Sequence, residues 1–255
     1  MKLGMPVLYE FESVLENIEL AKELKLDFIE LNLNFGYCRE QLEKPEELLN
    51  LLVDSDLELT LHFYDEADFA SYPEVVNAYM LLLEKYAVLG GKAGVKLINI
   101  HLNEGPIVTI SGKKNYIYEK EYATYIANIK ISLKRAKEIC LRNNIKMVLE
   151  NVYVPNHIQK TYIELWQEGF EFNYDIGHDN NDNDRLKAVL QTTKIIFSEY
   201  HIHDANRKTC HLSLGEGDID LLKYKTEAEK ANSYVVLEVK SSEDLKKSVE
   251  YFKKL

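Results

Sequence analysis

Cysteine is scarce in this chain. Three residues, Cys38, Cys140 and Cys210, are spread over 255 positions. They form no CxxC pair, and their odd number gives no closed disulfide framework. The expectation is free thiols in a reducing, cytoplasmic setting. Basic residues are also in deficit, 31 Lys and Arg against 42 Asp and Glu, a formal net charge of −11. That balance argues against tight, sequence-independent binding to nucleic acid or to an anionic membrane, both of which need basic surface. No apolar run approaches the roughly 18 residues needed to span a bilayer. The opening Met-Lys-Leu-Gly-Met-Pro-Val-Leu-Tyr runs straight into a strand-like segment rather than a signal-peptide core. There is no Gly/Ser linker or low-complexity tract. A Gly-x-Ser-x-Gly elbow is missing too. Leu214-Gly-Glu-Gly-Asp218 lacks the spacing of a dinucleotide fingerprint or a P-loop.

What is present is an ordinary globular mix, 46% hydrophobic and 29% charged, with ample material for a core. Strand-like apolar runs fall at 2–8, 28–34, 57–63, 96–102, 146–152, 171–177, 196–203 and 234–240. Stretches with helical spacing separate them, at 12–25, 44–54, 74–89, 121–142, 157–168, 184–192, 219–231 and 242–253. Ser241-Ser-Glu-Asp ahead of Leu245 reads as a helix start. Eight β-then-α units in strict order predict a single (β/α)8 TIM barrel occupying residues 1–255. The segments 103–120, Asp179–Asp184 and Ala205–Asp218 read as long loops after strands four, six and seven, on the face where barrel loops carry function.

The histidines and isolated carboxylates cluster at the downstream ends of those strands. The sequences are Leu-Thr-Leu-His62, Ile-Asn-Ile-His101, Val-Leu-Glu150, Asn-Tyr-Asp175-Ile-Gly-His178, Glu-Tyr-His201-Ile-His203-Asp204 and Val-Val-Leu-Glu238. In a parallel barrel every strand ends at the same mouth, so residues far apart in sequence converge there. Three carboxylates meeting in one place repel until a cation compensates them. Glu150, Asp175, His201 and Glu238 therefore read as ligands of a divalent ion such as Mn, Mg, Co or Zn, with positions left for substrate. His62 and His101, sharing Glu150, are candidates for a second ion, and two-metal sites hold their ions about 3.5–4 Å apart. His178 and His211 would bind a further ion or hydrogen-bond substrate. His203, two residues beyond His201 on the same side of an extended strand, reads as a partner of a ligand. Asp204 reads as a loop brace, and His157 as the start of a helix. Tyr64 and Tyr153, just past strand ends, are candidates to line the pocket.

This order of motifs resembles the xylose isomerase-like TIM-barrel superfamily over essentially the whole chain. In its ketose 3-epimerases and related sugar isomerases, Glu, Asp, His and Glu on strands five to eight hold one Mn-like ion, matching Glu150, Asp175, His201 and Glu238 in order. The resemblance makes His178 and Arg207 substrate-binding residues, while Asn156 stands where the family has a second substrate-binding Glu. A second branch, endonuclease IV, cuts DNA at abasic sites with zinc ions. Its ligands resemble His62, His101, Glu150, Asp175, His178, His201, His211 and Glu238, with Thr209 where that family has Asp. Phe63-Tyr-Asp-Glu-Ala-Asp68 stands in place of its DNA-wedging insertion, and acidic groups there would repel a phosphate backbone.

The expected activity is a divalent-metal-dependent isomerase or epimerase acting on a small sugar, sugar phosphate, polyol or sugar-like acid. The ion would stabilise a developing enediolate, Glu150 and Glu238 would move the proton on carbon, and His178, Arg207, His211 and Tyr64 would hold the substrate. The alternatives are a zinc phosphodiesterase of the endonuclease IV kind and a barrel that binds metal or ligand without catalysis. The resemblance also implies a homo-oligomer.

Overall fold

In the computed structural model, which describes residues 1–191 and 193–255, eight strands close into a barrel. They are β1 (Lys2–Pro6), β2 (Phe28–Asn32), β3 (Glu58–His62), β4 (Val95–His101), β7 (Lys146–Glu150), β8 (Glu171–Asp175), β9 (Glu199–Ile202) and β10 (Tyr234–Leu237). Every neighbouring pair is parallel, including the closing pair β1 and β10. This is the predicted (β/α)8 barrel.

The connecting helices are α1 (Val14–Glu23), α2 (Gly36–Leu42), α3 (Pro45–Ser55), α4 (Pro73–Ala93), α5 (Ile117–Lys120), α6 (Tyr122–Arg142), α7 (Asn156–Gln167), α8 (Ile176–Asn181), α9 (Arg185–Leu190), α10 (Leu221–Ala231) and α11 (Ser242–Lys254). Local chemistry sets several of their starts. Ser13 caps α1 by accepting from the backbone N of Glu16, whose carboxylate reaches back to the backbone N of Glu12 at 3.1 Å, a reciprocal arrangement that satisfies two orphan donors. Ser241 caps α11 in the same way through the backbone N of Asp244 at 3.2 Å, at the predicted start. Of the helix predicted over 184–192, the last residue, Thr192, lies outside the described residues.

Two of the three predicted loops contain regular structure. Residues 103–120 carry an antiparallel hairpin, β5 (Ile107–Ile110) and β6 (Lys113–Tyr116), followed by α5. Its turn places Ser111 and Gly112 at φ 49° and 79°, a conformation that a small residue and a glycine accept. The Asn/Asp-rich segment begins as α8 rather than as loop. Asn183 and Asp184 then adopt left-handed backbone, φ 65° and 57°, which Asn and Asp tolerate. Asp179 caps the following α9 through the backbone N of Leu186 and Lys187. The third segment, 205–218, is irregular apart from one bridge between Asp204 and Leu212. Asp204 braces it by accepting from Ala205, Gly215 and Ile219.

Side chains alternate along each strand, one set packing on the helices and the other filling the barrel. The helix-facing set includes Ile29, Leu31, Leu59, Leu61, Ile98, Ile100, Leu149, Phe172 and Leu237, all buried in one hydrophobic core. The inward set is apolar near the bottom, where a Cβ on Gly4 would stand 2.5 Å from the ring of Phe28, and at Val148 and Val236 higher up. Elsewhere above the bottom the buried polar side chains Glu30, Thr60, Asn99, Asn173 and Glu199 replace the usual branched aliphatics. The site rests on this layer.

Candidate metal centre and active site

Strand register brings the predicted ligands to one level. His101 pairs with Glu150 across β4 and β7, Asp175 with His201 across β8 and β9, and His201 with Val236 on β10, two residues before Glu238. Glu150, Asp175, His201 and Glu238 each present a ligand atom, all within 4.8 Å of one another. His201 Nδ1 lies 3.3 Å from Glu150 Oε1 and 3.2 Å from Glu238 Oε2. Glu150, Asp175 and His201 are buried. Among the described residues, neither ring nitrogen of His201, nor Glu238 Oε2, has a hydrogen-bond partner. Buried polar atoms left unmatched at the meeting point of three carboxylates and an imidazole are what an ion site requires, so the donor set fits a divalent cation.

The second predicted group also converges. His62 Nε2 and His101 Nε2 lie 3.5 and 3.7 Å from the same oxygen, Glu150 Oε2, and the two rings meet edge to face with centroids 4.7 Å apart. His62 Nδ1 donates to the carbonyl of Phe63 at 2.8 Å, which leaves Nε2 as the nitrogen that can take an ion once its proton is displaced. Glu150 therefore faces His201 with one oxygen and the two histidines with the other. Asn173 Nδ2 holds that second oxygen at 3.2 Å, and Asn99 Nδ2 also donates to it.

Asp175 is fixed before any ligand arrives. Its carboxylate caps α8 by accepting from the backbone N of His178 at 2.6 Å. Its backbone N and O pair with the Asn151 side chain. His203 Nε2 donates to both carboxylate oxygens at 3.1 and 3.2 Å, and His203 Nδ1 accepts from the backbone N of His211 at 2.7 Å. Both nitrogens of His203 are thus engaged, and this residue orients Asp175. The ring fits only because residue 177 is glycine, where a Cβ would lie 2.0 Å from His203 Cε1.

Electrostatics bind these groups together. Burial opposes ionisation of Glu150, but the charges of His201 and His101 and the close approach of the His201 and His62 rings hold its carboxyl well below the usual range. Burial likewise opposes charge on Glu238, which Lys240, His201 and His211 outweigh. Lys240 Nζ contacts Glu238 Oε1 at 2.7 Å. Burial works against a charged His62, yet Glu150 leads the carboxylates that push it up to about 10. Burial pushes His211 down to about 4, opposed by Glu238. Without an ion, imidazolium charge balances the carboxylates; a bound cation would take over that role and expel protons.

A family model described as the xylose isomerase-like TIM barrel matches residues 18–255. The chain belongs to that family. No curated protein matches it. Among solved structures, a D-tagatose 3-epimerase-like protein is 21% identical with a TM-score of 0.80, covering 100% of this chain and 96% of that one. The 3-keto-D-glucoside 4-epimerase of E. coli is 16% identical with a TM-score of 0.78 and full coverage of both chains. A probable 3-DHS dehydratase from Bacillus anthracis is 17% identical with a TM-score of 0.74, covering 99% of each chain. At these identities the likeness establishes the fold, and the site must carry the function.

In this member of the xylose isomerase-like family the mouth encloses a cavity of about 420 Å³, lined by Asn32, His62, Asp65, His101, Leu102, Asn103, Glu104, Glu150, Val152, Tyr153, His178, His211, Glu238 and Lys240. A larger, mostly apolar cavity of about 530 Å³ lies on the flank against Tyr174, Phe197 and Tyr224. It gathers none of the site's ionisable groups, so the mouth is the candidate active site. His178 and His211 stand on one wall with ring centroids 5.2 Å apart.

Two predicted substrate contacts are absent from that lining. Tyr64 turns outward and packs its ring against Phe63 and Tyr86. Arg207, in left-handed backbone at φ 69°, pairs with Asp184 on the surface. Asp65, Asn103, Glu104 and Lys240 line the mouth and carry no distinctive motif; only the proximity of Asp65 and Lys240 to ligand positions hinted at them. His157, one residue inside α7, donates from Nε2 to the carbonyl of Glu104 at 3.0 Å and thereby braces the rim.

Proposed function

We propose that the protein is a divalent-metal-dependent isomerase or epimerase of a small, uncharged sugar-like substrate. The observation that carries this reading is the pair of glutamates, Glu150 and Glu238, flanking His201 Nδ1 at 3.3 and 3.2 Å at the floor of a polar cavity sized for a sugar. When bound, an Mn, Co, Zn or Mg ion supplies Lewis-acid polarisation of a substrate carbonyl. Glu150 and Glu238 take a proton from the neighbouring carbon and return one. Lys240 holds the outer oxygen of Glu238 and limits its rotation. His178 and His211 order substrate hydroxyls, His211 as a neutral imidazole whose Nδ1 donates to the carbonyl of Glu238 at 3.1 Å and whose Nε2 accepts from a hydroxyl. Asp65 and Glu104 on the rim disfavour a polyanion. The epimerases among the structural neighbours support the same reading.

The test is proton exchange. Metal-loaded protein incubated with a panel of ketoses and inososes in D2O should introduce deuterium beside the carbonyl, read by NMR. Glu150→Gln and Glu238→Gln should abolish the exchange. Full activity in both variants would sink the reading. Tight binding of a sugar with no turnover across the panel would favour a non-catalytic barrel.

A second reading has its own observation in the convergence of His62 and His101 on Glu150 Oε2, an arrangement suited to two ions activating a water against a phosphodiester. Cleavage of an abasic-site duplex by the wild type, lost in His62→Ala, would promote it over the sugar reading.

A further inference from the structure

Beneath the ligands, the polar layer inside the barrel contains a carboxylate that the chemistry above does not use. Glu30 lies on β2, and β9, which carries His201, is separated from it around the barrel by β1 and β10. Glu30 therefore reaches His201 through the interior. It is 2% exposed, and its Oε2 stands 3.4 Å from His201 Nε2. The opposite nitrogen, Nδ1, faces Glu150 and Glu238. Glu199 is equally buried in the same layer; among the described residues neither of its oxygens, nor Glu30 Oε1, has a hydrogen-bond partner.

An imidazole can offer one lone pair to an ion only if its other nitrogen carries the proton, and a buried N–H needs an acceptor. At Nε2 the carboxylate in reach is that of Glu30. The 3.4 Å separation is long for a hydrogen bond and shortens with a small rotation of the ring, as catalytic contacts do when their ligand arrives.

We propose that Glu30 is a positioning residue of the metal centre: it accepts the Nε2 proton of His201, fixes the tautomer, and presents Nδ1 as the ligand. This rests on the reading that Glu150, Asp175, His201 and Glu238 hold the ion. Glu30 touches neither ion nor substrate and acts through the ring alone.

The experiment uses zinc as a diamagnetic probe in full-length protein labelled with 15N-histidine. Long-range 15N–1H spectra of the zinc-loaded wild type should show His201 coordinated through Nδ1 with a protonated Nε2. Zinc affinity, measured by competition with a chelator, should fall about 10- to 100-fold in Glu30→Met, which removes the acceptor. Glu30→Gln, which keeps an acceptor oxygen, should fall between Glu30→Met and wild type, and Glu199→Gln should match wild type. Coordination of His201 through Nε2 would overturn the proposal, as would unchanged affinity in Glu30→Met or an equal loss in Glu199→Gln. If Glu30→Met does not fold, the wild-type spectrum decides alone. Failure of the wild type to bind zinc would instead remove the metal reading itself, and this inference with it.

Discussion

Replacing Glu150 with Gln changes one oxygen for one nitrogen and should empty the whole centre. In the native site Oε2 accepts from Asn99 and Asn173, while Oε1 faces His201 Nδ1 at 3.3 Å. The amide of a glutamine should place its oxygen toward the two asparagine donors, because its NH2 group there would face two further NH2 groups. Its NH2 then points at His201 Nδ1 and occupies the lone pair that an ion needs. Removing one member of a buried charge pair costs about 3–5 kcal/mol. At about 1.4 kcal/mol per tenfold, that is roughly two to four orders of magnitude in ion affinity. The ion-free protein should suffer much less, because His62 and His201 can shed their protons once the carboxylate is gone. The assay is isothermal titration with Mn2+ or Co2+ beside thermal melts of the ion-free proteins. Wild-type affinity in Glu150→Gln would refute the shared-ligand geometry, and an affinity loss matched by gross unfolding would refute its assignment to the ligand role.

Four further outcomes follow from the same geometry. His62→Ala should leave binding of one ion at Glu150, Asp175, His201 and Glu238 within about an order of magnitude and eliminate any second ion, read as ions per chain. Ion binding at His62 must displace the proton retained by its raised pKa of about 10, so affinity there should rise about tenfold per pH unit between pH 7 and 9. That same raised pKa stabilises the ion-free fold fully below the ordinary histidine value of 6.5 and progressively less as pH climbs through 10, so its melting temperature should fall over that span; a flat affinity profile would contradict the ligand role. Gly177→Ala, whose Cβ would collide with the His203 ring, should weaken ion binding by displacing Asp175, and retained affinity in that variant would show that His203 does not orient it.

The barrel and most of the centre were legible because both depend on period and position. An almost continuously buried run ending in His or a carboxylate occurs at β3, β4, β7 and β8, and the parallel closure carries those ends to one mouth. Glu30 belongs to the same class of signal, a carboxylate inside the apolar run Phe-Ile-Glu-Leu-Asn. It lies mid-strand, a full layer below the mouth, and so lacks the strand-end position that marks the ligands. The hairpin over 107–116 was hidden by length: four-residue strands on an exposed insertion carry little hydrophobic pattern, although Ser111-Gly112 is a turn signal. The Asn/Asp run read as loop because those residues favour turns, yet Asp175 as a cap and a bonded His178 amide are enough to start α8. Tyr64 shows the limit of reading side-chain direction past a strand end, where period two no longer applies and Tyr86 on α4 offers an aromatic partner.

The central claim is that Glu150, Asp175, His201 and Glu238 hold a divalent ion, and metal content tests it most directly. Protein purified without chelator, then loaded and desalted, should carry about one ion per chain or more by mass spectrometry. Asp175→Asn should carry none at that site while remaining folded. Wild-type protein that retains no Mn, Co, Zn or Mg above background after loading would contradict the account.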